Sequence, residues 1–274
     1  MPGGRGRTAI PHDMPSIRCI TFDWGDTLSA STGMPYAAAQ LQAVTRLAAD
    51  LHGLTGALPS GWTERVLADI DAAWLATGDP VRNPEHREMD FLGMLERWLG
   101  AADAISADPP RLAQAVRTFQ AGLTEVIALY AESTPVLSLL KARGMRIGIL
   151  SHVPYPPEAC RGWFERTGLA PYIDFYSFSS DVGFIKPDPR HFQHALAQAK
   201  CPPAEVLHVG DHPLRDIQGA QAMGMKTCLR VTEGIHAPEL MRSCTPDMSI
   251  LRIGQLHAAL SGFLTPVAAK RPSP

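Results

Sequence analysis

The sequence predicts an α/β fold: a Rossmann-like parallel sheet with helices on both faces, interrupted early by an all-helical insert. Three observations carry that prediction. From Thr134 onward, short apolar runs alternate with segments of helical periodicity, the pattern of a parallel sheet. A further apolar, β-branched run, Ile17 to Phe22, stands alone near the start, and a lone strand must pair with the others to be stable. Between the two lie roughly 100 residues of helical periodicity with no strand signal. The expected division is a core of residues 17–29 plus 131–264, a helical domain at 30–130, and tails at 1–16 and 265–274.

The elements follow in order. Ile17 to Phe22 is a strand that stops at Asp23, followed by the turn-forming Gly25, Asp26 and Thr27. Pro35 to His52 and Gly61 to Thr77 are predicted helices, the second carrying Val66, Ile70, Trp74 and Leu75 on one side. A polar connection, GDPVRNPEHRE, leads to helices at Glu88–Leu99 and Pro110–Tyr130. Arg82, His86 and Arg87 on that connection either meet an anionic substrate or form a solvated surface. Next come a helix from Pro135 to Arg143 closed by Gly144, and a strand from Met145 to Leu150 ending at Ser151-His152. Helices at Glu158–Arg166, Arg190–Ala199 and Leu214–Met223 alternate with strands at Ile173–Phe178, Glu205–Val209 and Lys226–Val231. A weaker strand at Met248–Leu251 and a helix at Gln255–Phe263 complete the core.

Composition narrows the function classes. The 274 residues are 45% hydrophobic and 19% charged, with net charge −2 and both signs spread along the chain. This favours neither nucleic acid nor an anionic membrane surface as partner. No apolar run approaches the roughly 18 residues of a membrane span. The opening residues lack the apolar stretch of a secretory signal, and the five cysteines are scattered without a C-x-x-C. The expectation is a cytoplasmic protein with reduced thiols.

Three predicted strands end in polar residues, Asp23, Ser151 and Asp211, and a fourth connection carries Lys186. In a parallel sheet these ends share one edge, so the side chains converge. Two carboxylates, a hydroxyl and an ammonium suit phosphoryl chemistry, which needs a nucleophile, a cation and donors for the phosphate oxygens. Asp23 and Asp211 can share one Mg²⁺, an ion that takes few protein carboxylates and completes its shell with water and substrate phosphate. Ser151 and Lys186 would hold the transferring oxygens.

These residues resemble the haloacid dehalogenase-like (HAD) hydrolases. TFDWGDTL is similar to the family's first motif, ILS at Ile149 to Ser151 to the second, GFIKPDP to the third, and HVGDHPLRD to the fourth. The likeness runs from Ile17 to Phe263, and the helical insert resembles a C1-type cap. The resemblance implies a phosphatase of a small phosphorylated metabolite that forms a phosphoaspartate on Asp23. It implies Mg²⁺ held by Asp23, the main-chain carbonyl of Gly25 and Asp211, supported by Asp216. Ser151, His152 and Lys186 would meet the substrate. Phosphatases of the family usually carry an acid–base Asp two residues after the nucleophile. Here that position is Gly25, and a carboxylate stands one step later at Asp26. A positioned general acid contributes roughly 10²–10⁴ in rate, so Asp26, His152 and His212 are the alternatives for that role.

Two other functions stay open. A dehalogenase also uses an Asp nucleophile and lacks the second Asp, although it needs no metal. A HAD fold that binds a partner and turns over poorly is the non-enzymatic alternative. A phosphonatase, suggested by Trp24, needs a lysine in the cap, and the first lysine here is Lys141.

Overall fold

The computed structural model describes residues 17–31, 36–55, 58–100 and 109–260. The tails expected at 1–16 and 265–274 lie outside the described residues.

The sheet has six parallel strands. In chain order these are β1 (Cys19–Phe22), β4 (Arg146–Ser151), β5 (Phe175–Phe178), β6 (Val206–Gly210), β7 (Lys226–Arg230) and β8 (Met248–Ile250), arranged β5-β4-β1-β6-β7-β8. The early strand β1 lies inside the sheet, pairing Phe22 with Ile149 on one side and Val209 on the other. That register aligns the C-terminal ends of β4, β1 and β6. Both faces of the sheet are covered. Ile20, Phe22, Ile149 and Leu207 belong to one apolar cluster. Cys19, Leu150 and Val206 belong to another with Phe192 and Ala195. Each large apolar side chain so buried stabilises the fold by about 1.5–3 kcal/mol.

The insert contains α1 (Tyr36–Thr55), α2 (Trp62–Gly78), α3 (Phe91–Gly100) and α4 (Pro109–Thr124). It packs continuously onto the sheet-bearing part. Phe91 meets Tyr155 edge-on at 4.9 Å and stacks on Phe119 at 5.5 Å, which joins α3 and α4 to the loop after β4. Trp24 lies 4.7 Å from Trp163 and 5.0 Å from Phe164, so it is a core side chain.

Two sequence expectations are corrected here. The insert is not free of strands. The helix expected at Pro110–Tyr130 ends at Thr124, and Ile127–Leu129 forms β3, antiparallel to β2 (Ser29–Ser31). This ribbon ties together the two chain crossings into the insert. It was hidden because Ser29-Ala30-Ser31 has no apolar alternation and Ile127-Ala128-Leu129 continues a helical spacing. The apolar side of α2 is also split. Val66 and Ile70 are buried, but Leu75 is 69% exposed, because this end of the helix faces the cleft described below.

The remaining helices are α5 (Ser133–Ala142), α6 (Pro157–Arg166), the single turn α7 (Ser179–Val182) and α8 (Pro189–Ala199). The helix expected at Leu214–Met223 begins as a π-helical turn, Pro213–Gln218, and continues as Gly219–Ala222. No described helix is long and apolar enough to cross a membrane.

Candidate active site

Asp23 is fixed as an extension of β1, its main-chain N–H bonding Val209 O at 2.9 Å. Ser151, the last residue of β4, donates its hydroxyl to Asp23 Oδ1 at 2.9 Å. The Lys186 ammonium donates to the same oxygen at 2.7 Å and to Leu150 O at 2.9 Å, and it stands 2.6 Å from Asp216 Oδ1. An ammonium has three protons, and these three acceptors use them all. Local structure fixes the lysine's position. Ile185 N bonds His86 O at 2.8 Å, and the Asp188 carboxylate caps α8 by accepting from Arg190 N at 2.9 Å.

Asp216 lies behind this group, 1% exposed. Its Oδ1 also meets His208 Nε2 at 3.1 Å, and its Oδ2 accepts from His212 N at 2.9 Å. The other nitrogen of His208 meets Thr21 Oγ1 at 3.0 Å, across the β1–β6 pairing. Gly210 permits the arrangement: a Cβ there would stand 2.3 Å from Asp216 Cγ. Burial alone would raise the Asp216 pKa, but Lys186 and His208 hold it well below the carboxylate range. Burial would likewise lower the Lys186 pKa, and Asp216 and Asp23 reverse that to a rise.

Asp211 follows β6 and accepts from His236 Nε2 at 2.8 Å. Burial pushes its pKa up to about 6 against that hydrogen bond, and the charges of Asp216 and Asp23 add to the rise. One oxygen from each of Asp23, Asp211 and Asp216 lies within 4.8 Å of the others. Such crowding of hard oxygens is what a small divalent cation relieves. The oxygens of Asp216 are already engaged by protein donors, which leaves Asp23 and Asp211 as the better direct ligands. The residues present therefore fit Mg²⁺.

These groups open into a cleft of about 810 Å³, a size suited to a small-molecule ligand. The predicted residues Asp23, Gly25, Asp26, Ser151, His152, Lys186, Asp211 and Asp216 all line it. Asp26 has φ 50°, and its carbonyl accepts from Arg230. Burial, then the charge of Asp23, raises its carboxyl pKa. His212 lines the cleft too, but its Nδ1 accepts from Arg215 N at 3.2 Å. Burial, then Arg215, lowers its pKa to about 4. It is therefore a neutral turn cap, poorly suited to proton transfer.

Arg82, His86 and Arg87 do not line the cleft. Arg82 pairs with Asp79 and Arg87 with Glu85, and Arg87 lies over the Phe184 ring. Their segment is strapped to the third motif instead, Glu88 N bonding Gly183 O at 2.9 Å.

Several site residues escape sequence reasoning. His208 carried a signal, a titratable residue inside a buried strand. His236, Trp74, Gln40, Asp71 and Arg215 reach the cleft only through tertiary packing.

The family model for haloacid dehalogenase-like hydrolase matches residues 17–224. Haloacid dehalogenase-like hydrolase domain-containing protein 3 of Homo sapiens is 35% identical over 152 residues, 56% of this chain and 58% of that protein. Phosphoserine phosphatase of Thermus thermophilus is 32% identical over 129 residues, 47% of this chain and 49% of that protein. The chain thus spans about half the length of these curated relatives. The structure of 2-haloacid dehalogenase from Pseudomonas syringae pv. Tomato superposes with TM-score 0.61 at 25% identity, covering 89% of this chain and 98% of that one. On the match across residues 17–224, the chain belongs to the haloacid dehalogenase-like hydrolases.

Proposed function

We propose that the chain is a Mg²⁺-dependent phosphatase acting on a small phosphorylated metabolite, with Asp23 as nucleophile. One observation carries the reading. Asp23 Oδ1 is held by both Ser151 and Lys186, which fixes the carboxylate in the cleft for attack on phosphorus. Attack forms a phosphoaspartate as the ester oxygen departs, and water then releases phosphate and restores Asp23. The Lys186 charge keeps Asp23 and phosphate from repelling each other, and Ser151 would turn its hydroxyl from Asp23 to a transferring oxygen when substrate binds. Asp23, Asp211 and the Gly25 carbonyl would hold Mg²⁺, with Asp216 orienting Lys186. When bound, the ion offsets phosphate charge. The insert would act as a C1-type cap, with Gln40, Trp74 and Leu75 walling the leaving-group side. The similarity to a phosphoserine phosphatase supports this substrate class. The unpaired state of all five cysteines supports a cytoplasmic location.

A dehalogenase is the second reading, favoured by Gly25 and by the similarity to a 2-haloacid dehalogenase. Against it stands the buried acidic group, which disfavours a carboxylate substrate in the absence of a cation. The test is a panel of metabolite phosphates with Mg²⁺ and with EDTA, on wild type and Asp23→Asn. Metal-dependent phosphate release, lost in Asp23→Asn, is expected. Metal-independent halide release from a 2-haloacid would select the dehalogenase.

A further inference from the structure

We infer that His152, held by Glu88, supplies the proton transfer that the missing carboxylate at Gly25 would otherwise perform; this rests on the phosphatase reading above. The vacancy at Gly25 is one of chemistry rather than of space. The residue is exposed, and a Cβ built there meets nothing within 4 Å. His152 follows the phosphate-facing Ser151 directly and lines the same cleft. Its Nε2 lies 3.1 Å from Glu88 Oε1 and 3.0 Å from Oε2, the two side chains being 10% and 4% exposed.

The pair is rigid. Glu88 is anchored by its own N–H to Gly183 O at 2.9 Å and by Met89 N to its Oε1 at 2.7 Å. The Trp74 ring packs on the His152 ring at 5.0 Å. A carboxylate on one imidazole nitrogen fixes the ring's tautomer and orientation, leaving the other nitrogen for the substrate. With Nε2 committed to Glu88, Nδ1 is that nitrogen.

The proton balance closes over two steps. As the Asp23 oxygen bonds to phosphorus and the ester P–O bond breaks, imidazolium Nδ1–H passes its proton to the departing oxygen. Neutral Nδ1 then takes a proton from water as the water oxygen bonds to phosphorus and the Asp23–phosphorus link breaks. Phosphate leaves and the imidazolium is restored. Glu88 acts only through His152, so it is a positioning residue.

The test compares kcat/KM for 4-nitrophenyl phosphate, whose leaving group needs no proton, with that for phenyl phosphate, whose leaving group does. In His152→Asn, phenyl phosphate should lose about 10²-fold and 4-nitrophenyl phosphate less than about tenfold. Glu88→Gln should show the same bias at smaller size. Adding Gly25→Asp to His152→Asn should recover most of the phenyl phosphate rate. Equal losses on both esters without that recovery, in variants that melt like wild type, would mean the pair only joins insert to core and would overturn the proposal. Wild type that hydrolyses neither ester nor any metabolite phosphate would defeat the phosphatase reading itself, and this inference with it.

Discussion

Lys186 and Asp23 form a buried ion pair, Nζ to Oδ1 at 2.7 Å, with the lysine side chain 3% exposed. The same ammonium stands 2.6 Å from Asp216 Oδ1. One cation thus serves two carboxylates that would otherwise repel each other in a poorly hydrated place.

Lys186→Met should therefore cost more than a lost contact. Removing one member of a buried pair strands the other charge, at about 3–5 kcal/mol. Urea unfolding should show that loss, and the variant should be inactive. An Asp216→Asn change in the same chain should recover part of the stability without recovering activity.

Gly210→Ala tests the close approach behind Asp211. A Cβ would stand 2.3 Å from Asp216 Cγ, so the carboxyl must shift or β6 must bend. The expected cost is about 1–3 kcal/mol. Lys186 loses its alignment as well, and activity should fall further than stability alone explains.

Acid sensitivity should trace partly to His191. Its ring is fully buried, with Nε2 3.0 Å from Ser177 O. Burial first, and Lys186 second, lower its pKa from 6.5 to about 3. The unfolded chain takes up a proton near pH 6.5 that the folded protein refuses until about pH 3. Stability is thus fully present above pH 6.5 and drains away as pH falls through that window, by a few kcal/mol on the order-of-magnitude scale of such shifts. Denaturation midpoints measured from pH 7.5 to 4 should fall less steeply in His191→Gln, which keeps an amide donor for Ser177. Parallel profiles would count against this assignment.

Mg²⁺ should stabilise the folded chain through Asp211. At a hundredfold excess over Kd, binding contributes about 2.7 kcal/mol. Thermal melts should rise with added Mg²⁺ and return to baseline with EDTA. In Asp211→Asn the metal-dependent rise should vanish. The melt without metal should hold or improve, because the crowding that lifts the Asp211 pKa to about 6 is relieved.

Much of this was readable along the chain because the chemistry sits at strand ends. Asp23, Ser151 and Asp211 each end or follow a strand of buried apolar residues, and parallel pairing puts them on one edge. Lys186 was readable as an isolated lysine in a proline-bounded turn. What was not readable depends on contacts far apart in sequence. His236 reaches Asp211 from a loop beyond β7, and Glu88 reaches His152 from the insert. His236 belongs to no periodic pattern, and helical spacing at Glu88 does not show what its side chain meets. Leu75 departs from its expected burial for a related reason: helical spacing places it beside Val66 and Ile70 without distinguishing a core-facing turn from a cleft-facing one.

During turnover Asp23 should carry the phosphoryl group. Wild type mixed with Mg²⁺ and a hydrolysed phosphate ester should be acid-quenched, digested and examined by peptide mass spectrometry. One added phosphoryl group on the peptide containing Asp23, absent in Asp23→Asn, is the predicted result. Turnover at an undiminished rate by Asp23→Asn, or a phosphoryl group on any other residue, would contradict it.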